Sequence, residues 1–232
     1  MSYNFYIGEV LLIDKPLGWS SFQAVNKLKH GIKNHPSFIH EGNKVKPKIG
    51  HAGTLDPLAT GLLIVCTGKK TKSIDSFMGL TKEYAGTFFI GATTPCYDLE
   101  KEIDKTFPTE HITKELILET AKTFLGKQDQ VPPLFSAVMV NGKRAYEHAR
   151  AGDEIELKPK SIELFEFEIT DIQMPIISFR IVCSKGTYIR SVARDLGLAL
   201  NSGAHLTSLR RTKIGTYDVK DAVSPEEFVR GL

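Results

Sequence analysis

At 232 residues, with 41% hydrophobic and 25% charged residues, the chain can bury a core and is too apolar to be mainly disordered. No fixed-period repeat appears, and apolar runs such as Leu62 to Cys66 are far shorter than a membrane span. The net charge of +3 hides an asymmetry: residues 1–72 carry 10 basic and 4 acidic groups, 73–180 carry 12 and 18, and 181–232 carry 8 and 5, so two basic segments flank an acidic middle and predict a face that attracts a polyanion.

Glu9 to Asp14 reads as a short buried strand, and Ser20 or Ser21 offers an N-cap for an amphipathic helix to about Gly31. Asn34 to Lys48, polar and basic with Pro36, Gly42 and Pro47, reads as a loop. Leu62 to Cys66 predicts a central strand, Lys69 to Met78 a helix and Tyr84 to Ile90 another strand. Gly91 to Phe107 is a connection, and Thr113 to Leu125 a helix stopped by Gly126. Gln130 to Pro159, rich in Pro, Gly and charge, reads as an excursion from the main sheet. Ile162 to Ile172 and Ile176 to Cys183 are strands, with Glu166 and Glu168 on a solvated face. Thr187 to Leu200 is an amphipathic helix ended by Asn201 and Gly203, and Ser224-Pro225-Glu226-Glu227 opens a final helix with a capping box. Without a regular βαβ rhythm, these elements predict an α+β fold with a mixed, largely antiparallel sheet and flanking helices, in a single domain over residues 1–232.

Several chemistries are disfavoured. Cys66, Cys96 and Cys183 are odd in number and widely spaced, which argues against a disulfide framework or a zinc site. His30, His35 and His40 recur every five residues, a spacing that does not return to one helix face. Gly68-Lys69-Lys70-Thr71 misses the phosphate-loop spacing. The amino terminus lacks a basic stretch followed by an apolar one, so a cytoplasmic protein is expected.

The most unusual stretch is Gly50-His51-Ala52-Gly53-Thr54-Leu55-Asp56-Pro57-Leu58-Ala59-Thr60-Gly61, which encloses one carboxylate in glycines and a proline just before the apolar strand. Glycines permit close backbone approach and Pro57 stiffens the chain beside Asp56, so the loop can hold a carboxylate at a fixed point. Taken alone, Asp56 is equally a turn residue before proline.

The whole segment resembles the signature motif of the TruB family of tRNA pseudouridine synthases. Ile13-Asp14-Lys15-Pro16-Leu17-Gly18-Trp19-Ser20-Ser21, Lys82-Glu83-Tyr84 and Ser184-Lys185-Gly186-Thr187-Tyr188-Ile189-Arg190-Ser191 are similar to further motifs of that family. Val131 to Ala137 with Asn141 to Glu147 resembles its RNA-gripping insertion, at about 130–160, and Gly203 to Thr212 its final segment. The resemblance implies the pseudouridine synthase catalytic fold and isomerisation of a uridine, position 55 in the T-loop of tRNA, to pseudouridine. The base would be flipped out, detached from ribose C1′ at N1 and reattached through C5.

By the same resemblance Asp56 is the catalytic carboxylate, Arg190 its partner and Tyr84 the aromatic that stacks on the flipped base. His51 fills the space the base leaves, Lys15 and Tyr188 line the cleft, and Leu209 packs in its wall. Lys143, Arg144, Arg210 and Arg211 are expected on phosphates. For Arg190, a surface salt bridge to Asp195 or Glu147 is the plain alternative. The reaction needs no cofactor or metal. The partner is tRNA, bound by a monomer without obligatory protein partners or membrane. Two departures stand out: Met139 replaces a lysine common in the family, and the chain carries no C-terminal PUA domain, so RNA grip is expected from the catalytic domain, its insertion and the loop Asn34 to Lys48. An RNA-binding or tRNA-folding module is the alternative reading. A guide-RNA-dependent relative is a third, disfavoured because it expects the PUA domain.

Overall fold

A computed structural model describes residues 3–40 and 43–232. In chain order the main elements are strand β1 (Val10–Lys15), helix α1 (Ser21–Ile32), strands β2 (Ile49–Ala52) and β3 (Ala59–Thr67), helix α2 (Ile74–Gly79), strand β4 (Lys82–Ile90), helix α3 (Lys114–Thr123) and strand β5 (Gly126–Gln130). Helix α4 (Ala145–Ala151), strands β6 (Lys160–Gln173) and β7 (Ile176–Cys183), helix α5 (Ile189–Ala199), strands β8 (Ala204–Ile214) and β9 (Tyr217–Asp218) and helix α6 (Pro225–Arg230) complete it. The architecture is α+β, a mixed sheet with flanking helices, as expected. The chain gathers into two compact units, residues 1–84 with 210–232 and residues 85–209; β4 and β8 run through both.

The first unit is organised on β3. Its run Ala59 to Thr67 is buried almost throughout, because alternate residues serve two cores. Leu63 and Val65 pack with Ile13, Ala24, Leu28, Ile32, Phe38 and Phe228, whereas Leu62, Ile64 and Cys66 pack with Ala52 and Ile214. β3 pairs antiparallel with β1 over its length and with β2 at its end, Ile49 opposite Thr67. Helix α1 begins where Ser20 accepts from the Gln23 amide and Gln23 reaches back to the Ser20 amide, a reciprocal cap; its buried face is Ser21, Ala24, Val25, Leu28 and Ile32. The predicted loop Asn34 to Lys48 is more ordered than its polarity implied: a 3-10 turn at Pro36–Phe38 buries Phe38, and Ile39–His40 pairs with Asn43–Lys44. Glu41 and Gly42, also in that loop, lie outside the described residues.

In the second unit β7 pairs with β6 and β6 with β5, all antiparallel. Phe88 of β4 stacks on Phe179 of β7 with ring centroids 4.1 Å apart, and α5 turns Ile189, Val192, Ala193 and Leu196 inward. Glu166 and Glu168 both pair with Arg180 on the neighbouring strand, which accounts for this acidic stripe as a cross-strand ion-pair cluster. Within the excursion, Met139–Val140 pairs with Lys143–Arg144 and leads into α4.

Candidate active site

Three sets of hydrogen bonds fix the loop that carries Asp56. Inside the first turn of α1, the Ser21 hydroxyl accepts from the Leu55 amide at 2.8 Å and donates to the Leu55 carbonyl at 3.1 Å. On the far side of Asp56, the Pro57 carbonyl accepts the Gly18 amide at 2.9 Å and lies 3.5 Å from the Lys15 ammonium. Ala59 closes the turn by donating to the Asp56 carbonyl at 3.1 Å. Asp56 is thus clamped through both chain neighbours while its own side chain stays half-buried. Because Leu55 is itself buried, its polar backbone needs these partners.

Two buried cations frame the loop. Lys15 is fully buried and directs its ammonium to the carbonyls of Trp19, at 2.5 Å, Pro16, at 3.0 Å, and Pro57. Burial lowers its pKa to about 8, with Arg211 pushing the same way and the Asp56 carboxylate opposing both. Arg211, 1% exposed, donates to the Leu62 carbonyl at 2.8 Å and the Gly53 carbonyl at 3.0 Å. This corrects the expectation that Arg211 touches phosphate: its guanidinium ties β8 to the start of β3 and to the loop. The approach is so close that a Cβ on Gly61, φ +104°, would sit 2.3 Å from the Arg211 carbonyl oxygen, so only glycine fits.

His51 is half-buried with Nε2 3.2 Å from the Thr54 hydroxyl, and burial together with Arg211 favours its neutral ring. Tyr84 is buried in β4. Arg210 forms a two-point ion pair with Asp14, at 2.6 and 3.0 Å, with its side chain 42% exposed. The first unit therefore brings Lys15 within electrostatic reach of Asp56 and Arg211, and His51 within reach of Arg211.

In the second unit Arg190 is buried and pairs with Asp98, an acid the sequence did not single out. Its Nε lies 3.6 Å from Asp98, both side chains being 5% exposed, while its two remaining nitrogens donate to the carbonyls of Cys96 and Phe135 at 3.2 and 2.9 Å. Asp195 pairs with Arg194 instead, and Glu147 caps the start of α4. Asp98 sits in the tight turn Thr94 to Asp98, where Tyr97 adopts φ +63° and the Thr94 hydroxyl donates to the Asp98 carbonyl. Tyr188 is fixed by its backbone, which exchanges two hydrogen bonds with the Gln130 side chain. Leu209 is half-buried in β8. Lys143 and Arg144 lie exposed on the hairpin before α4, where Arg144 also donates to the Ala137 carbonyl.

Residues 41–189 match the model of the TruB family pseudouridylate synthase N-terminal domain, and residues 190–231 that of the tRNA pseudouridylate synthase B C-terminal domain. The chain is 64% identical over 225 residues to the tRNA pseudouridine synthase B of Flavobacterium johnsoniae, covering 97% of this chain and 96% of that one. It is 55% identical over 229 residues to the protein of the same name from Phocaeicola vulgatus, covering 99% and 95%. Among solved structures, a chain from a Cbf5-Nop10-Gar1 complex superposes with a TM-score of 0.72 at 26% identity, over 98% of this chain and 55% of that longer chain. Matched across both family models, the chain belongs to the TruB family of pseudouridylate synthases.

Proposed function

We propose that this chain isomerises the uridine at position 55 in the T-loop of tRNA to pseudouridine, with Asp56 as the reacting carboxylate. The observation that carries the reading is the clamp on Asp56: a half-buried carboxylate whose backbone is fixed through Leu55 and Pro57, with the Lys15 charge in reach and Arg211 holding Gly53 of the same loop. Placement of this kind is what a carboxylate needs to act at one atom of a bound nucleoside.

The reaction breaks the C1′–N1 bond and forms C1′–C5, and the proton lost from C5 is balanced by one gained at N1. Attack on C1′, addition to the base and removal of the C2′ proton all demand the same feature, an ionised carboxylate held at the glycosidic bond. A uridine stacked in a folded loop must leave its stack to reach Asp56. Tyr84 is assigned the face of the extruded base, and His51 the space left behind. Asp98 is the positioning residue for Arg190, whose motif in this family accompanies the aspartate.

Pseudouridine mapping on a T-arm stem-loop transcript tests this. Wild type is expected to convert the uridine at position 55, and Asp56→Asn to lose conversion while RNA binding stays within a few-fold. Turnover by Asp56→Asn would remove Asp56 from the role, and tight binding without conversion by wild type would favour the RNA-folding alternative.

A further inference from the structure

Two apolar side chains beside the Asp56 loop are more exposed than packing explains. Phe22 is the most exposed large apolar side chain among the described residues, at 68%, and Leu17 is 64% exposed. Both belong to the segment that clamps the loop. Leu17 precedes Gly18, whose amide donates to Pro57, and Phe22 follows Ser21, whose hydroxyl holds Leu55. They are therefore anchored on either side of the attachments to Asp56's neighbours. Between them, a Cβ on Gly18 would meet nothing within 4 Å, so open space lies over that position, while Trp19 turns toward the core.

The charge around this pair identifies the occupant. From Pro16 to His40 there is no acidic residue, against Lys27, Lys29 and Lys33. Phe22, Asn26 and Lys29, with Lys33 at the C-cap, follow at intervals of four, three and four, which places them along one side of α1, flanking the buried face of Ala24, Val25, Leu28 and Ile32. Lys29 and His30 are explained by the helix dipole, which favours cations at the C-terminal end. Nothing comparable explains a bare aromatic ring in the first turn. An exposed ring on a surface with cations and no carboxylates of its own fits a nucleobase over a phosphate chain, because every base offers a π-face and stacking tolerates sequence.

We propose that Leu17 and Phe22 form a lip on which an RNA base neighbouring the target uridine stacks, with the lysines of α1 on the adjoining phosphates. The proposal rests on the reading of the chain as a T-loop enzyme and adds an RNA-binding surface outside the reacting centre. Phe22 positions substrate and takes no part in bond making.

The test is steady-state kinetics on a T-arm stem-loop with Phe22→Ala, Phe22→Trp and Phe22→Leu, together with the double variant Lys29→Ala/Lys33→Ala. Phe22→Ala is expected to raise KM about tenfold with kcat within about twofold, the size of effect seen for loss of one stacked base. Phe22→Trp retains wild-type KM and Phe22→Leu does not, since leucine is apolar but has no aromatic face. The lysine variant lowers the slope of log affinity against log salt by roughly one for each phosphate no longer neutralised, whereas Phe22→Ala leaves the slope unchanged. An unchanged KM for Phe22→Ala, or a wild-type KM for Phe22→Leu, overturns the proposal. So does a change in sedimentation of the free protein with RNA affinity intact, which would place a second copy on this surface. Wild-type protein that leaves the T-loop uridine unconverted defeats the proposed function and the lip with it; wild-type turnover with an indifferent Phe22 defeats the lip alone.

Discussion

The hydroxyl of Ser21 and the backbone of Leu55 satisfy each other completely, one hydrogen bond in each direction, across a sequence separation of 34 residues. This pair sets the approach of the chain into Asp56. Ser21→Ala leaves a buried amide and carbonyl without partners, which costs about 1–3 kcal/mol. Activity is expected to fall further than stability does, because a misplacement of about 1 Å at a reacting group costs roughly a hundredfold in rate. Comparison of kcat with the urea midpoint for wild type and Ser21→Ala checks both, and equal kcat values would disconnect Ser21 from Asp56.

Lys15 gives a pH signature. Its folded pKa, about 8, lies below the ordinary lysine value of 10.5 because burial disfavours the ammonium. Between these values the unfolded chain binds more protons than the folded one, so the contribution of this group to stability rises with pH across that window. Charge beside Asp56 is lost in the same range, so the rate is expected to fall on an alkaline limb near pH 8. Urea unfolding and single-turnover rates at about pH 7 and about pH 9.5, on either side of the folded value, check this, with Lys15→Met predicted to lose the Lys15 contribution to both dependences.

Asp98 and Arg190 form a pair in which each charge is buried. Asp98→Ala removes one charged partner of the buried guanidinium and is expected to destabilise the protein by about 3–5 kcal/mol, the usual cost of breaking a buried ion pair. Asp98→Asn keeps the shape and a polar neighbour, so it should fold better while turning over more slowly than wild type. Thermal unfolding combined with single-turnover kinetics separates the two effects. Full activity of Asp98→Asn would show that Arg190 needs no orienting charge.

Gly61 tests the contact between β3 and β8. A methyl group there faces both a φ of +104° and a carbonyl oxygen at 2.3 Å, so backbone must move. Gly61→Ala should lower the melting temperature by several degrees or abolish soluble expression. Gly186→Ala also carries the cost of a positive φ, +81°, but meets nothing within 4 Å, and is predicted to be the milder change. Thermal melts of the two variants give the comparison.

Much of the fold was legible because hydrophobic period and capping residues acted together. Ser224 caps α6 as its sequence predicted, and the helix expected from Thr113 is found as α3, with Thr113 as its cap. β8 was missed as a strand: Ala204 to Ile214 places Arg210, Arg211 and Lys213 among its apolar residues, and only the finished structure shows that Arg211 is buried through backbone carbonyls. β5 was missed because Lys127, Gln128 and Asp129 carry no apolar alternation, its pairing coming from β6. At the site, the local glycines and proline marked a rigid loop around Asp56, while a role for that carboxylate came only from the resemblance of the whole segment. Asp98 as a partner of Arg190 was not legible, because it is 92 positions away and nothing local distinguishes it from other acids in that connection. The exposed lip at Phe22 is likewise invisible to periodicity, which counts an aromatic residue as core.

The reach of Arg211 also sets when the site can exist. The guanidinium that holds Gly53 and Leu62 comes from a residue about 150 positions later in the chain, only 21 before its last residue. During synthesis the Asp56 loop therefore emerges long before its support. Closing so distant a contact is slow relative to local helix formation. A nascent chain carries the Asp56 loop without the guanidinium that braces it, so the loop acquires its final frame only after Arg211 has been made.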